Sequence, residues 1–396
     1  MKLIALIHSL DPRTGGTVRV VVDLQPHLAA EGLEVDLICA DSEDAEWLPA
    51  LRQLPGLRIH ALGPLNNGYA YSRKWDRILK KLLPGADAVL MHGLWKYPLV
   101  AARRACKSMH KPLFVYPHGM LDPWFDREYP LKAFKKRLYW TLVERKNIHA
   151  AHKVLFTAPD EERLAREHWN LDPRRNCIAP IGIEPPLELA AVSEDSFSVS
   201  NSDERILLFL GRVVKKKGVD LLVQAFAQLP PLGGQSLRLI VAGPGMDSPY
   251  GNRVRELAAH SHYPIEFPGM IEGEAKWQQL RSCDALCLPS HQENFGLVIA
   301  EALAAGRPVL TTHSVNIADY ITLDQSGWVE QDTLDGVRKL LQQWIHSTPV
   351  EREALRRNAR RSFEQRFSAA AAAKLLVGVL QDTGAGERMS GGLVGL

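Results

Sequence analysis

The sequence predicts an α/β protein made of two doubly wound domains, and three observations lead to this fold class. Short apolar segments with strand character alternate with helix-like segments along both halves of the chain, which is typical of parallel sheets covered by helices. The 396 residues exceed what one ordinary hydrophobic core needs, so two domains of similar size are expected. Apolar content of 46% and charged content of 23% are those of an ordinary globular enzyme.

The first predicted domain, residues 1–183, begins with a strand in MKLIALIHS. Further strands are expected in LEVDLICA, LRIHAL, DAVLMHG and PLFVYPHG, with helix-like segments between them. The first strand is not followed by the GxGxxG pattern, which argues against a nicotinamide-binding domain.

The rest of the chain divides by composition. Residues 184–203 are rich in Pro, Ser and acidic residues and are predicted to link the domains. The second domain is predicted over 204–366, an Ala-rich helix over 367–381, and a Gly-rich flexible tail over 382–396.

The most informative stretch runs from Asp284 to Thr312 and has the pattern strand, loop, helix, strand. The helix begins at the carboxyl end of a parallel strand, where open α/β sheets bind ligands. Its first amides, at Gly296, Leu297 and Val298, predict a phosphate site, because unpaired amides and the helix dipole favour an anion.

Two carboxylates, Glu293 and Glu301, flank this helix start and can accept hydroxyl hydrogen bonds from a sugar or ribose. The alternative is that Glu301 faces solvent and Glu293 caps the helix. Upstream, Arg212 follows an apolar strand and Lys217 precedes a helix, and two fixed cations at strand ends suit a diphosphate. A basic loop that is merely solvated remains the alternative there.

The first domain carries two further candidate features. Gly15 and Gly16 stand at a helix start, where paired glycines allow either close approach of a ligand or a tight turn. Two strands end in His-Gly, at His92 and His118, so both rings are expected at one edge of the sheet. Each His could instead cap a turn.

The segment 132–153 is basic, with interleaved aromatic residues. It is expected to lie on an anionic membrane surface or, equally, to be a solvated helix with inward aromatics. Each cation near such a surface adds about 1 kcal/mol of attraction. The cations are Lys132, Lys135, Lys136, Arg137, Arg145, Lys146 and Lys153.

Several classes are disfavoured. The net charge of +3 is too small to argue for nucleic acid. The five cysteines lack zinc spacing and are expected to be reduced, which favours the cytoplasm. The opening apolar run is shorter than a signal-peptide core, and no apolar stretch approaches the roughly 20 residues that span a bilayer. Membrane contact is therefore expected to be peripheral.

Three motifs together resemble the retaining GT-B glycosyltransferases of family four, in particular the bacterial polysaccharide and lipopolysaccharide type. These are the two glutamates eight positions apart, the Gly-Arg…Lys-Gly loop, and PHGMLDPW followed by a basic helix. The resemblance covers roughly Lys2 to Phe367. Where the family usually has Pro-Asn-Gly, this chain has Pro180, Ile181 and Gly182.

The resemblance implies two Rossmann-like domains that face each other across a cleft, an acceptor-binding first domain, a donor-binding second domain, and a C-terminal helix that returns to the first. It implies that Glu293 contacts the donor sugar, Glu301 the ribose, and His118 the region beside the donor sugar and acceptor. Catalytic roles fall to His118, Arg212, Lys217 and Glu293. Donor contacts fall to Gly15, Gly16, Arg212, Lys217, Gly243, Met270, Ile271, Glu293, Asn294, Phe295, Gly296, Leu297, Val298 and Glu301.

The function implied is transfer of a hexose, with retention and without a metal, from a nucleotide-diphosphate sugar to a hydroxyl of a glycan or lipid-linked oligosaccharide in surface polysaccharide biosynthesis. The nucleotide sugar is a co-substrate, and no other cofactor is expected. A nucleotide-sugar epimerase of the same fold and a non-catalytic nucleotide-sugar-binding protein remain alternatives. Asp122, Trp124 and His92 are weaker candidates for acceptor contacts.

Overall fold

The computed structural model describes residues 1–65, 67–190, 204–233 and 236–382. It divides into two compact units. The first comprises Met1–Thr157, Glu162–Ile181 and the residues from Ala372, and the second comprises Ala158–Glu161 and Gly182–Ala371. Residues 191–203 of the predicted linker and the residues of the predicted tail after Asp382 lie outside the described part of the chain. The domain boundaries at 183, 203 and 366 stay predictions.

The described part of the first unit is built on a seven-stranded parallel sheet with the order β3-β2-β1-β4-β5-β6-β7. The inner strands are largely buried because a parallel sheet is covered on both faces, and every residue of β4, AVLMH, is buried. The edge strands β3 and β7 are only partly buried. The strands are β1 Lys2–Leu6, β2 Glu34–Cys39, β3 Leu57–Ala61, β4 Ala88–His92, β5 Leu113–Tyr116, β6 Lys153–Phe156 and β7 Asn176–Ile178.

The helices in this half of the chain are α1 Gly16–Ala30, α2 Leu48–Leu51, α3 Arg73–Leu82, α4 Tyr97–Met109, α5 Trp124–Glu128, α6 Pro130–Tyr139, α7 Arg145–Ala150 and α8 Pro159–Trp169. A π-helical turn, Trp140–Glu144, joins α6 to α7.

The described part of the second unit repeats the plan with a six-stranded parallel sheet of order β10-β9-β8-β11-β12-β13. Its strands are β8 Glu204–Leu210, β9 Ser236–Ala242, β10 Ile265–Gly269, β11 Ala285–Leu288, β12 Val309–Thr312 and β13 Gly327–Glu330. The helices in this half of the chain are α9 Leu187–Ala190, α10 Val219–Ala227, α11 Pro249–Ala258, α12 Gly273–Ser282, α13 Leu297–Ala304, α14 Ala318–Leu323, α15 Leu334–His346, α16 Pro349–Ser362 and α17 Ala369–Gln381. From Ala372 onward, α17 belongs to the first unit.

In each sheet the strand order reverses once, between β1 and β4 and between β8 and β11. The carboxyl ends of strands at such a reversal form a crevice, because the helices that follow them leave on opposite faces. The predicted doubly wound α/β class is confirmed. Within the described ranges, no helix has both the length and the apolar character needed to span a membrane.

Candidate active site

In the second unit, the loop after β8 brings Lys217 beside the loop after β11. Lys217 ends a 3-10 turn over Lys215–Lys217, and Gly218 follows with a left-handed φ of 62°. A Cβ on Gly218 would lie 2.0 Å from the carbonyl oxygen of Pro289, so only glycine allows these two loops to approach this closely. The close approach fixes the Lys217 backbone next to the end of β11.

The side chains of Lys217 and Glu293 form an ion pair, with Nζ against Oε2. Only 14% and 15% of the two side chains are exposed, so the pair is largely shielded from water. Hydrogen bonds hold the Glu293 backbone on both sides: its N–H donates to Ser314 O over 3.1 Å, and its carbonyl accepts from Asn316 N over 3.0 Å. The structure thus brings together two residues predicted for different parts of the donor.

The second carboxylate, Glu301, lies in the second turn of α13 and is 8% exposed. Its Oε1 pairs with Nζ of Lys276 on α12. Glu301 therefore does not face solvent, and the alternative interpretation of this residue is wrong. In the structure, the side-chain partner of Glu293 is Lys217.

Sequence reasoning missed Lys276. It is separated from Glu301 by 25 positions, and the two meet only because α12 and α13 are neighbours in space. No local periodicity or motif spacing connects them, so no sequence pattern indicates this pair.

Helix α13 begins as predicted, at Leu297, after Gly296 with φ of 72°. The first amides of a helix lack intrahelical acceptors, which leaves this end suited to an anion. Two residues before the helix serve packing: Phe295 is 3% exposed with its ring 5.7 Å from that of Phe367, and Asn294 Oδ1 accepts from Asn316 Nδ2 over 3.1 Å.

The loops after β8, β9 and β10 approach each other through glycines. Gly243 has φ of 142°, donates its N–H to Gly269 O over 2.7 Å, and leaves only 1.9 Å between a Cβ in its place and Gly211 O. Arg212 follows Gly211 and is exposed. Beyond Gly269, Met270 is 62% exposed and Ile271 is half-buried.

In the first unit, the two His-Gly sequences meet. Nδ1 of His92 lies 3.0 Å from Nε2 of His118, and the two rings stack with centroids 5.3 Å apart. Burial lowers the pKa of His92 to about 4. Burial, and then the charge of His92, hold the pKa of His118 well below its usual value. Both rings are therefore neutral near pH 7, with one nitrogen donating to the other.

A cavity of about 290 Å³ opens beside His92 at the carboxyl ends of β1 and β4. Gly16 begins α1 nearby, and Gly15 before it has φ of 119°, which favours glycine, with open space around a Cβ position. The close approach of a ligand to Gly15 and Gly16 stays a prediction. Asp122 accepts the backbone N–H of Trp124 over 2.8 Å, a contact that shapes the turn. The cavity is lined by Ile7, His8, Ser9, Thr14, Thr17, Val18, Met91, His92, Gly93, Leu94, Lys96 and Met120.

Two ranges of the chain match known protein families. Residues 193–362 match the family described as Glycosyl transferases group 1, and residues 14–186 match Glycosyltransferase Family 4. A D-inositol 3-phosphate glycosyltransferase of Xylanimonas cellulosilytica is 36% identical over 191 residues, 44% of this chain and 43% of that protein. The lipopolysaccharide glucosyltransferase WaaG of Escherichia coli is 28% identical over 244 residues, 58% of this chain and 64% of that protein.

Among solved structures, HepE of Anabaena, determined in complex with UDP and glucose, superposes with a TM-score of 0.68 at 17% identity, over 96% of this chain and 99% of HepE. At that identity the likeness shows the fold alone, the GT-B fold of two Rossmann-like domains. The chain spans less than half of the first curated relative's length and less than two thirds of the second's. The two family matches together take in most of the chain, and the protein belongs to the group 1, family 4 glycosyltransferases.

Proposed function

We propose that the protein is a retaining, metal-independent glycosyltransferase. It moves a hexose from a nucleotide-diphosphate sugar to a hydroxyl of a glycan or lipid-linked oligosaccharide in surface polysaccharide biosynthesis. The observation that carries the proposal is the pair of shielded lysine–glutamate contacts, Lys217 with Glu293 and Lys276 with Glu301, at the sheet reversal of the second unit.

These two contacts place carboxylates where a donor needs hydroxyl acceptors. A glutamate carboxylate that is held by a single lysine has further lone pairs that can accept hydrogen bonds from sugar and ribose hydroxyls. In this proposal Glu293 orients the hexose and Glu301 the ribose. Lys217 is shared between Glu293 and the donor diphosphate, because the diphosphate, with two negative charges in total, competes with the carboxylate for the same ammonium group.

The hardest step is breaking the bond between the sugar and the diphosphate, since negative charge builds up on the leaving oxygen. Preorganised donors stabilise such charge at little reorganisation cost. Arg212 is exposed at the end of β8, and Gly296, Leu297 and Val298 present the first amides of α13. Together with Lys217 they supply the positive field that the leaving group requires.

Retention follows, in this proposal, from attack of the acceptor on the same face of the sugar that the diphosphate leaves. The leaving phosphate oxygen takes the acceptor proton, so no carboxylate needs to act as nucleophile. Glu293 is tied to Lys217 and serves to position the sugar. The test is the anomeric configuration of the product by NMR, and an inverted product contradicts this part of the proposal.

Metal independence rests on the same cations, since Arg212 and Lys217 can neutralise a diphosphate without a divalent ion. Among the described residues, no group of three or more His, Cys, Asp or Glu side chains is arranged to hold a metal. We expect full activity in EDTA, and loss of activity that Mg²⁺ or Mn²⁺ restores contradicts this expectation.

The acceptor is assigned to the first unit, where the neutral pair His92 and His118 borders the cavity of about 290 Å³. Neutral imidazoles donate and accept hydrogen bonds without attracting a counter-ion, which suits a sugar hydroxyl. The name of the WaaG relative supports a lipopolysaccharide-type acceptor. A cytoplasmic location belongs to the proposal too, and the five free cysteines support it.

The decisive experiment is a donor screen by thermal shift and hydrolysis with UDP-, GDP- and ADP-sugars. One nucleotide series should raise the melting temperature, because a ligand that binds only the folded state stabilises it. Arg212→Ala should lower kcat by about 100 to 1,000-fold, the usual cost of one such donor. Arg253→Ala, which removes an exposed arginine from α11, is the matched control and should leave kcat unchanged. If no series binds, or both variants behave alike, the proposal fails.

A further inference from the structure

The segment that runs through α6, the π-helical turn and α7 exposes an apolar stripe. Leu131 is 86% exposed, Phe134 72%, Leu142 58% and Leu138 55%. The spacings of three, four and four positions place all four side chains on one face of the segment. Large apolar side chains at these exposures cost solubility, so such a stripe indicates a surface that binds something.

The opposite face is already packed, so the stripe is not a displaced part of the core. Ala133 and Trp140 are buried. Lys136 Nζ lies 4.9 Å from the ring centroid of Trp95, and Glu144 Oε1 accepts the backbone N–H of Trp95 over 2.8 Å. These contacts fix the rotation of the segment about its axis, and the stripe therefore points away from the first unit.

The charge around the stripe is mainly positive, although exposed Glu128 lies just before Leu131 and Asp126 Oδ2 lies 3.8 Å from Arg137 Nε. Exposed cations border it on both sides, and between Tyr129 and Lys153 the sequence contains one carboxylate, Glu144, which is buried. An apolar stripe between two rows of cations complements a bilayer surface, whose acyl region is apolar and whose anionic headgroups are negative. The exposed cations are Lys132, Lys135, Arg137, Arg145 and Lys146.

We propose that this stripe, Leu131, Phe134, Leu138 and Leu142, docks the protein on an anionic phospholipid membrane with the helical segment lying in the plane of the interface. A second copy of the chain is the poorer occupant, because pairing two such faces would bring two sets of like charges together. The membrane docking does not depend on the transfer reaction. Its failure would leave the proposed function untouched, and the reverse also holds.

The test is co-sedimentation of the full chain with vesicles of phosphatidylcholine alone and of phosphatidylcholine with 30 mol% phosphatidylglycerol. We expect binding to the anionic vesicles, weakened in 0.5 M NaCl, and at least tenfold weaker binding to the neutral ones. The double variant Phe134→Ser, Leu138→Ser should reduce partitioning to anionic vesicles at least tenfold. Both side chains are exposed, so folding should be preserved. Its far-UV circular dichroism should match that of the unaltered chain.

A matched control removes exposed apolar side chains elsewhere: Leu323→Ser with Val350→Ser, at 66% and 78% exposure, should leave vesicle binding unchanged. The charge variant Lys132→Gln, Lys135→Gln should weaken binding to anionic vesicles only. Equal partitioning of the stripe variant and the unaltered chain overturns the proposal. So does light scattering that shows a dimer which the stripe variant dissolves, because the stripe would then be an interface between copies.

Discussion

The contact between Lys276 and Glu301 offers the most direct test of the donor site that we propose in the second unit. The two side chains form an ion pair, with 17% and 10% of their surfaces exposed. We expect Lys276 to hold the Glu301 carboxylate in the orientation that receives the ribose. The perturbations are Lys276→Met, which keeps the apolar stem but removes the charge, Glu301→Gln, and the double variant.

The magnitude follows from the shielding of the pair. A hydrogen bond to a charged group contributes about 1.5–3 kcal/mol, and this one is screened little by water. Glu301→Gln should therefore weaken nucleotide-sugar binding about 10 to 100-fold. Lys276→Met should weaken it about tenfold, because an unheld carboxylate must lose side-chain freedom on binding. With Glu301 replaced, Lys276→Met should have little further effect, which gives a coupling energy of about 1.4 kcal/mol.

The assay is isothermal titration calorimetry with the nucleotide sugar that the donor screen identifies, on all four proteins. The matched control is a more exposed ion pair on the same helix: Arg281 and Glu274 have side chains 35% and 64% exposed, and Arg281→Met should leave the donor Kd unchanged. Additive losses in the double variant would refute the positioning role. So would a Lys276→Met protein that binds as tightly as the unaltered chain.

Three further predictions concern the stability and reactivity of the fold. His92 and His118 have lowered pKa values, so the unfolded chain takes up their protons near pH 6.5 before the folded chain does. The contribution of the two rings to the free energy of unfolding is therefore fully present above pH 6.5, and it falls by about 1.4 kcal/mol per pH unit for each ring as the pH drops toward 4. In urea unfolding, the free energy of unfolding of the His92→Phe variant should fall less steeply with decreasing pH than that of the unaltered chain. Gly243→Ala should lower the free energy of unfolding by about 3 kcal/mol or more, because the added Cβ would overlap the carbonyl oxygen of Gly211. Gly269→Ala should lower it by about 1 kcal/mol, because that position has open space and only a positive φ. Equal losses of the two variants in urea unfolding would contradict the argument from close approach. Of the five cysteines only Cys177 is half-buried, so a thiol reagent should label it first, and rapid labelling of the other four under native conditions would contradict their burial.

Much of the candidate site was predictable because it depends on strand ends. A buried strand followed by a polar or Gly-rich turn and a helix places that turn at the carboxyl edge of a parallel sheet, whatever the rest of the fold does. This argument located Lys217, Glu293 and the start of α13 from the sequence, and it placed His92 and His118 at one edge. Their roles toward a donor or an acceptor stay predictions.

The outward face of α6 shows where local pattern was insufficient. The sequence was compatible with a helix that lies on a membrane surface and with a solvated helix whose aromatic residues point inward, because apolar residues fall on both faces of the helix. The structure buries Trp140 and leaves Phe134 exposed, so the aromatics divide between the two faces. Which face is buried is decided by contacts with residues distant in the sequence, such as those of Trp140 with Trp95 and Trp169.

The sequence by itself determined the fold class, the doubly wound order of strands and helices, and the position of the helix start that is predicted to bind a phosphate, because these depend on periodicity and strand-end chemistry over short stretches. Only the tertiary structure decided which lysine each glutamate meets, since Lys276 and Glu301 lie on different helices. Only the tertiary structure showed that the carbonyl of Pro289 excludes any side chain at Gly218. Side-chain pairing across distant segments is set by how helices pack on the sheet, and that packing leaves no period in the sequence.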